Sequence, residues 1–263
     1  MFQSPGDIAF YIGSMPVYYY GLILAIAAFT GFYAAYKLYA EFFNPDEAEK
    51  ILDMAPILIL AGIFGARLYY CIVNYSYYII HPLEVFNIRQ GGLSIHGMIL
   101  GGIIALYFCV KHYKIDFLRT LDVMACGTSL AQAIGRWGNF FNSEAFGMPT
   151  NLPWKLYIPI AHRPQEFIRH EYFHPTFLYE SILDLAIFTI LYLILRRHKI
   201  QKGILFGIYL LLYSFVRIGV EYLRVDSILY ISGIPVAQWV SIWIIIIALF
   251  YLGFLLRNTE SSN

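Results

Sequence analysis

Residues 8–36 read IAFYIGSMPVYYYGLILAIAAFTGFYAAY, 29 residues without one Asp, Glu, Lys or Arg. A helix needs about 20 apolar residues to cross the hydrocarbon core of a bilayer, and this run exceeds that length. Ile228 to Leu256 is a second uncharged run of 29 residues, and Gln90 to Val110 a third of 21, broken only by His96. The alternation of a barrel strand is absent from these runs, so helices are expected. Of the 263 residues, 59% are hydrophobic and 13% charged, with a mean hydropathy of +0.61; an average soluble domain has roughly 25% charged residues. That composition excludes a disordered chain and an ordinary cytosolic enzyme. A net charge of +1 supplies neither a basic face for nucleic acid nor a reason to expect acidic partners. The expected class is an all-α polytopic membrane protein with no nucleic-acid partner.

Seven spans are predicted, at about 17–37, 55–74, 93–112, 118–138, 176–196, 203–223 and 234–256. The fourth is the most polar, carrying Asp122, Thr128, Ser129 and Gln132 and ending near Arg136. Lys37, Lys50, Lys111, Lys114, Arg119, Arg196, Arg197, Lys199, Lys202 and Arg257 all fall on one side of this arrangement. The short loops opposite carry only Arg89 and Arg224. The positive-inside rule then puts the N-terminus out and the C-terminus in. No Lys or Arg precedes the first apolar run, so the basic region of a signal peptide is missing and the first span is expected to be retained. The whole chain, 1–263, reads as one membrane domain with an insertion at 139–175 between spans four and five. That insertion holds Pro149, Pro153, Pro159 and Pro164 with Trp154, Tyr157, Phe167 and Tyr172, so a small folded extracytoplasmic head is expected. No internal repeat of the transporter kind is visible.

Charges inside spans point to function, because a mid-membrane Arg persists only with a partner or a task. Arg67, Arg136 and Arg217 are the candidates. Three guanidinium groups in one bundle suit an anionic ligand, since their planar forks grip phosphate oxygens in pairs. The alternative is structural pairing with Asp122, Glu144 or Glu221. In the sixth span Tyr213, Arg217, Glu221 and Arg224 fall at offsets of one helix face, so Glu221 is placed to bridge Arg217 and Arg224. The stretch QGGLSIHGMILGG (Gln90 to Gly102) sets His96 beside Gly97 and Gly101, which permit close helix approach. His96 is either a proton acceptor or a packed, hydrogen-bonded histidine. GRWGNFFNSEAFG (Gly135 to Gly147) gathers Arg136, Asn139, Asn142 and Glu144 where a span exits, as a headgroup site would or as a capped helix end would.

His170 to His174 reads HEYFH and matches the zinc-protease pattern HExxH, which works only when both histidines share a helix face. Pro175 biases His174 away from the helical region, and no third ligand follows at a useful spacing, so no metal is expected. Cys71, Cys109 and Cys126 fit no zinc spacing and read as small buried apolar residues.

Taken in order, these motifs resemble the bacterial prolipoprotein diacylglyceryl transferases over essentially the full length. The matching segments are YYGL at Tyr20, GGLSIHG, GRWGNFFNSEAFG, HPTFLYES (His174 to Ser181), YSFVRIGVEYLR and Gln238. Met98, Trp137 and Ser143 depart from the pattern at positions expected to touch packing or a cavity wall. The resemblance implies transfer of diacylglyceryl from phosphatidylglycerol to the lipobox cysteine of a preprolipoprotein, in the bacterial cytoplasmic membrane among its lipids. Glycerol 1-phosphate leaves and a thioether forms, with no cofactor or metal. His96, Arg136, Arg217 and Tyr213 are the implied catalytic residues. Arg136, Asn139, Tyr20, Glu144, Gly147, Glu221 and Arg224 are the implied phosphatidylglycerol-binding residues. Within these sets Arg136 and Arg217 hold the departing phosphate, and His96 is base or positioner for the thiol. Asn139 and Tyr20 orient the headgroup, Glu144 and Glu221 position arginines, and Gly147 permits a turn under the head. The competing classes are an intramembrane zinc protease, resting on HEYFH, and a lipid transporter or binder, resting on the charged spans.

Overall fold

The computed structural model describes residues 2–88, 91–197, 200–225 and 230–260. Arg89, Gln90, Lys199 and the start of the last uncharged run at Ile228 therefore lie outside the described residues. The helices are α1 (Tyr19–Phe42), α2 (Pro45–Val73), the short α3 (Tyr75–Ile80), α4 (Ile95–Tyr113), α5 (Phe117–Phe141), α6 (Thr176–Leu195), α7 (Ile204–Glu221) and α8 (Val236–Glu260). Among the described residues, six of them are long and apolar enough to cross a membrane: α1, α2, α4, α6, α7 and α8. The 25-residue α5 covers the predicted fourth span and carries Arg119, Asp122 and Arg136. The protein is a mostly helical, multi-pass membrane protein.

The uncharged run at 8–36 is not helical throughout. Its first part folds as an antiparallel hairpin, β2 (Ile8–Ile12) with β3 (Met15–Tyr18), following the two-residue strand β1 (Phe2–Gln3). Ile12 pairs with Met15 across Gly13 and Ser14, and Gly13 has φ +62°, the left-handed backbone that glycine adopts without steric cost. The last run repeats the device: Ile231 pairs with Ile234 across Ser232 and Gly233, at φ 52° and 76°. Two-residue turns containing Gly, set between apolar residues, are the hairpin signal that hydropathy alone overlooks.

The chain divides into two compact units, residues 1–35 with 121–263, and residues 36–120. The second unit is built on α2 and α4. Asn44 accepts a hydrogen bond from the Asp46 N–H at 3.0 Å and Pro45 opens α2, a standard way to satisfy and start a helix N-terminus. Gly65 and Ala61 of α2 meet Gly97 and Gly101 of α4 so closely that a Cβ on any of the three glycines would strike backbone of the facing helix. His96 thus does stand beside a close helix crossing, as its glycine neighbours imply; its ring lies 5.8 Å from that of Tyr69.

In the first unit, the segment between α5 and α6 folds on a small aromatic core. Phe140, Phe146, Leu156, Ile158, Phe173 and Phe177 are buried together, with Phe2 packed against them. Two further strands, β4 (Leu156–Tyr157) and β5 (Tyr172–Phe173), form a three-stranded sheet with β1 in the order β1-β4-β5. Phe2 pairs with Leu156 and Leu156 with Phe173, and Phe2 stacks on Phe140 at 5.2 Å. The HEYFH segment runs through β5 and not along a helix, so His170 and His174 do not share a helix face. His174 Nδ1 instead lies 3.1 Å from the Tyr179 hydroxyl, which accepts from the Trp154 indole at 2.8 Å. The three cysteines are free and buried.

Candidate functional site

Three helices of the first unit bring charges together in an otherwise apolar setting. α5 supplies Arg136; α6 supplies Glu180 and, one turn on, Asp184; α7 supplies Arg217 and Glu221, with Arg224 just beyond its end. Glu180 is the hub. Its carboxylate lies 2.5 Å from Arg136 Nη1, 3.2 Å from Arg217 Nη1 and 3.8 Å from Arg224 Nη1. Arg136 Nε lies 3.5 Å from Asp184, and Arg217 Nη2 lies 2.6 Å from Glu221. Three guanidinium charges therefore face three carboxylates, which is how charge persists at membrane depth.

Exposure separates the two kinds of partner. The side chains of Glu180, Asp184 and Glu221 are 2%, 0% and 3% exposed, whereas Arg136, Arg217 and Arg224 are 19%, 19% and 16% exposed. The carboxylates are enclosed behind the arginines, and the arginines keep an open edge. Three formal positive charges are thus set against three formal negative ones, with the arginine side chains on the more exposed side of the cluster.

The ion-pair partners differ from those expected. Asp122, one of the expected partners, instead faces the start of α7. It accepts from the Gly203 and Phe206 N–H groups at 2.7 and 2.9 Å and so caps the N-terminus of α7. Glu144 accepts from Asn139 at 3.0 Å and Asn142 at 3.3 Å, so it positions asparagines, where arginines were expected. Glu221 does hold Arg217. Arg224 is not on the helix face expected of it, because α7 ends at Glu221. Its backbone instead forms an antiparallel bridge with Gly147. Glu180 falls in the HPTFLYES motif but was given no role, and Asp184 lies beyond that motif. They sit at i and i+4 in the apolar α6 sequence TFLYESILDLAIF, and the signal was available: arginines in spans demand carboxylates, and a fifth span carrying two of them supplies these.

The remaining expected residues have the following local surroundings. Tyr213 lies beside Arg136 and acts electrostatically on its guanidinium. Tyr213 stacks on Tyr209 at 5.8 Å, and Tyr209 donates to Gln132 at 3.0 Å. The Tyr20 ring lies against Gly138, where a Cβ would come within 2.8 Å of it, and Arg136 and Glu144 both act electrostatically on its phenol. Glu144 is presented by an irregular backbone: Ser143 and Ala145 on either side have φ 52° and 53°, and the Ala145 carbonyl accepts from the buried Thr176 hydroxyl. Gly147 serves space and not a turn, since its φ is not positive. A Cβ there would lie 2.9 Å from His174 Cβ, the Leu223 carbonyl and Thr176 Cγ2. Gln238 on α8 donates to the Ile218 carbonyl of α7 at 3.4 Å. His96 belongs to the other unit, exposed in the first turn of α4. Arg67 also belongs there, and its five donors all go to backbone carbonyls, so it is not a phosphate ligand.

Six apolar helices and an arginine–carboxylate cluster whose carboxylates are enclosed define a multi-pass membrane protein. The chain belongs to the prolipoprotein diacylglyceryl transferase family, whose model matches residues 7–254. It is 44% identical over 252 residues to a phosphatidylglycerol–prolipoprotein diacylglyceryl transferase of Synechocystis, covering 94% of this chain and 88% of that one. Proteins of the same name from Nostoc and Thermosynechococcus vestitus are each 43% identical, covering 92% of this chain and 86% and 89% of theirs. The family is one of transferase enzymes.

Proposed function

We propose that this enzyme moves the diacylglyceryl group of phosphatidylglycerol onto the lipobox cysteine of prolipoproteins, the first step of lipoprotein maturation. A carbon–sulfur bond forms at the glycerol carbon, and the carbon–oxygen bond to phosphate breaks. Glycerol 1-phosphate leaves, and the thiol proton goes to a base. The phosphodiester carries one negative charge and the departing monoester gains a second. Donors aimed at that phosphate are therefore worth more in the transition state than in the ground state, which is the condition for catalysis. The observation that carries this reading is the open edge of Arg136, Arg217 and Arg224 in front of the enclosed Glu180 hub.

Within this reading Arg136 and Arg217 grip the phosphate and Tyr213 fixes Arg136. Asn139, held by Glu144, and Tyr20 orient the headgroup, with Glu221 and Arg224 shaping the same wall. His96 acts on the thiol as base or positioner; the nucleophile comes from the substrate, so Cys71, Cys109 and Cys126 have no catalytic role. α5 is the seventh span, and residues 139–175 form the extracytoplasmic head of a single membrane domain. The N-terminus faces out and the C-terminus faces the cytoplasm of a bacterial cell. The test of the reaction is incubation of purified protein with phosphatidylglycerol and a lipobox peptide, followed by mass analysis. A peptide gaining a diacylglyceryl mass supports the reading, and an unmodified peptide sinks it. Reporter fusions after Lys202 and after Pro164 are expected on opposite sides of the membrane; the same side for both would overturn the topology.

A further inference from the structure

Arg67, near the C-terminal end of α2, is 7% exposed. Its Nε donates to the Val85 carbonyl at 2.8 Å. Its Nη1 donates to the Gly91 and Gly92 carbonyls, each at 3.0 Å. Its Nη2 donates to the Glu84 and Asn87 carbonyls at 2.5 and 3.1 Å. All five guanidinium donors are thereby used. The Tyr70 and Tyr78 rings flank it, 6.0 and 5.3 Å away at their centroids. These carbonyls belong to the stretch of chain that leads into α4. The residue before Arg67 takes up the next contact, since Ser94 N–H donates to the Ala66 carbonyl at 3.0 Å, and Gly65 then meets Gly97. Residues 65, 66 and 67 of α2 thus receive the chain at 97, 94 and 91–92 in turn. His96 lies inside that grip, as the second residue of α4. Gly92 closes it at φ +75°, where a Cβ would reach within 2.9 Å of the Tyr70 ring.

We infer that Arg67 is a positioning residue that fixes the entry to α4 and, through it, the imidazole of His96. This rests on the proposed role of His96 in handling the lipobox thiol. Lysine cannot replace it. An ammonium offers three donors from one point, whereas five carbonyls around a plane need the guanidinium fork. The consequence is a defect in the chemical step and not in phosphatidylglycerol binding, because Arg67 has no donor to offer the lipid.

The experiment compares wild type, Arg67→Lys, His96→Gln and the double variant in transfer to a lipobox peptide. Hydrogen exchange is followed for 82–88 and for the first turn of α4. Arg67→Lys is expected to lower kcat about tenfold with KM for phosphatidylglycerol changed less than about twofold. The double variant is expected to be no slower than His96→Gln, since a residue acting through His96 has nothing left to position. Exchange is expected to rise at 82–88 and 95–98 and nowhere else. Wild-type kcat in Arg67→Lys, or multiplicative losses in the double variant, would overturn the inference. So would unchanged activity in His96→Gln, or protection lost throughout the protein. If wild type itself forms no thioether, the proposed function fails, and the exchange pattern alone then decides whether Arg67 tethers this segment.

Discussion

Two sets of compensated arginines stand in this chain, and the partner distinguishes them. Arg67 is surrounded by five backbone carbonyls, which take every donor it has. Arg136, Arg217 and Arg224 are gathered by the carboxylates of Glu180, Asp184 and Glu221. Carbonyl dipoles saturate a guanidinium geometrically, so such an arginine builds backbone. A carboxylate on one side neutralises the charge and leaves these arginine side chains 16–19% exposed. Both solutions satisfy the requirement that a charge in a membrane protein be compensated, and the proposed grip on phosphate needs the second.

The strongest way to break this contrast is to remove the hub. Glu180→Gln keeps the shape and deletes the charge, leaving three guanidinium groups against two carboxylates. Losing one member of a buried ion pair costs about 3–5 kcal/mol. The open edges of the arginines, wetted on one side, place the expected loss toward the lower end of that range. The expected outcome is a lowered thermal midpoint in detergent together with loss of transfer. A variant as stable and as active as wild type would show that the arginines do not depend on Glu180.

Next in size is the change of fork to point charge. Arg136→Lys and Arg217→Lys preserve one positive charge each but not paired grip on phosphate oxygens. A charge-assisted hydrogen bond contributes about 1.5–3 kcal/mol; if it is made in the transition state, losing it slows turnover roughly ten- to a hundredfold. Both variants are expected to lose that much diacylglyceryl transfer while remaining folded. Near-normal turnover in both would reduce these arginines to structural counter-ions of Glu180, Asp184 and Glu221.

The sequence carried this contrast unevenly, for physical reasons. Long uncharged runs locate helices because lipid tolerates little else, and α1, α4 and α8 fall where those runs are, whereas α2, α6 and α7 are apolar windows with a few charges in or beside them. Hydropathy is blind to backbone direction, however, so the uncharged run gave no sign that Ile8–Tyr18, most of which precedes the span predicted at about 17–37, is a hairpin turned at Gly13 and Ser14. The cationic side of the cluster was legible in Arg136 and Arg217, since an arginine inside a span is costly and conspicuous. Its enclosed side was not. Choosing among Asp122, Glu144, Glu221, Glu180 and Asp184 as partners depends on how helix faces meet, and sequence spacing fixes a face only within one helix. Arg67 was indistinguishable from Arg136 in sequence, because backbone carbonyls, its actual partners, are present at every residue.

Asp122 offers the smallest and cleanest test, as the acidic counterpart of Arg67. It is 2% exposed, and its two oxygens accept from the Gly203 and Phe206 N–H groups. The carboxylate therefore serves the first turn of α7, where unpaired N–H groups and the helix dipole both favour a negative charge. Asp122→Asn leaves one acceptor oxygen in place and turns an amide NH2 toward the second N–H, so one bond is kept and one replaced by opposed donors. A capping loss of this kind costs about 0.5–2 kcal/mol. Arg217 lies more than three turns further along α7, and its own contacts run to Glu180 and Glu221, so the geometry at the cluster is expected to survive. The outcome should be a thermal midpoint a few degrees lower with kcat within about twofold of wild type. A loss of turnover as deep as that of Arg136→Lys, at undiminished stability, would mean that a charge capping a helix still reaches the reaction, and the distinction between the two kinds of compensated charge would fail.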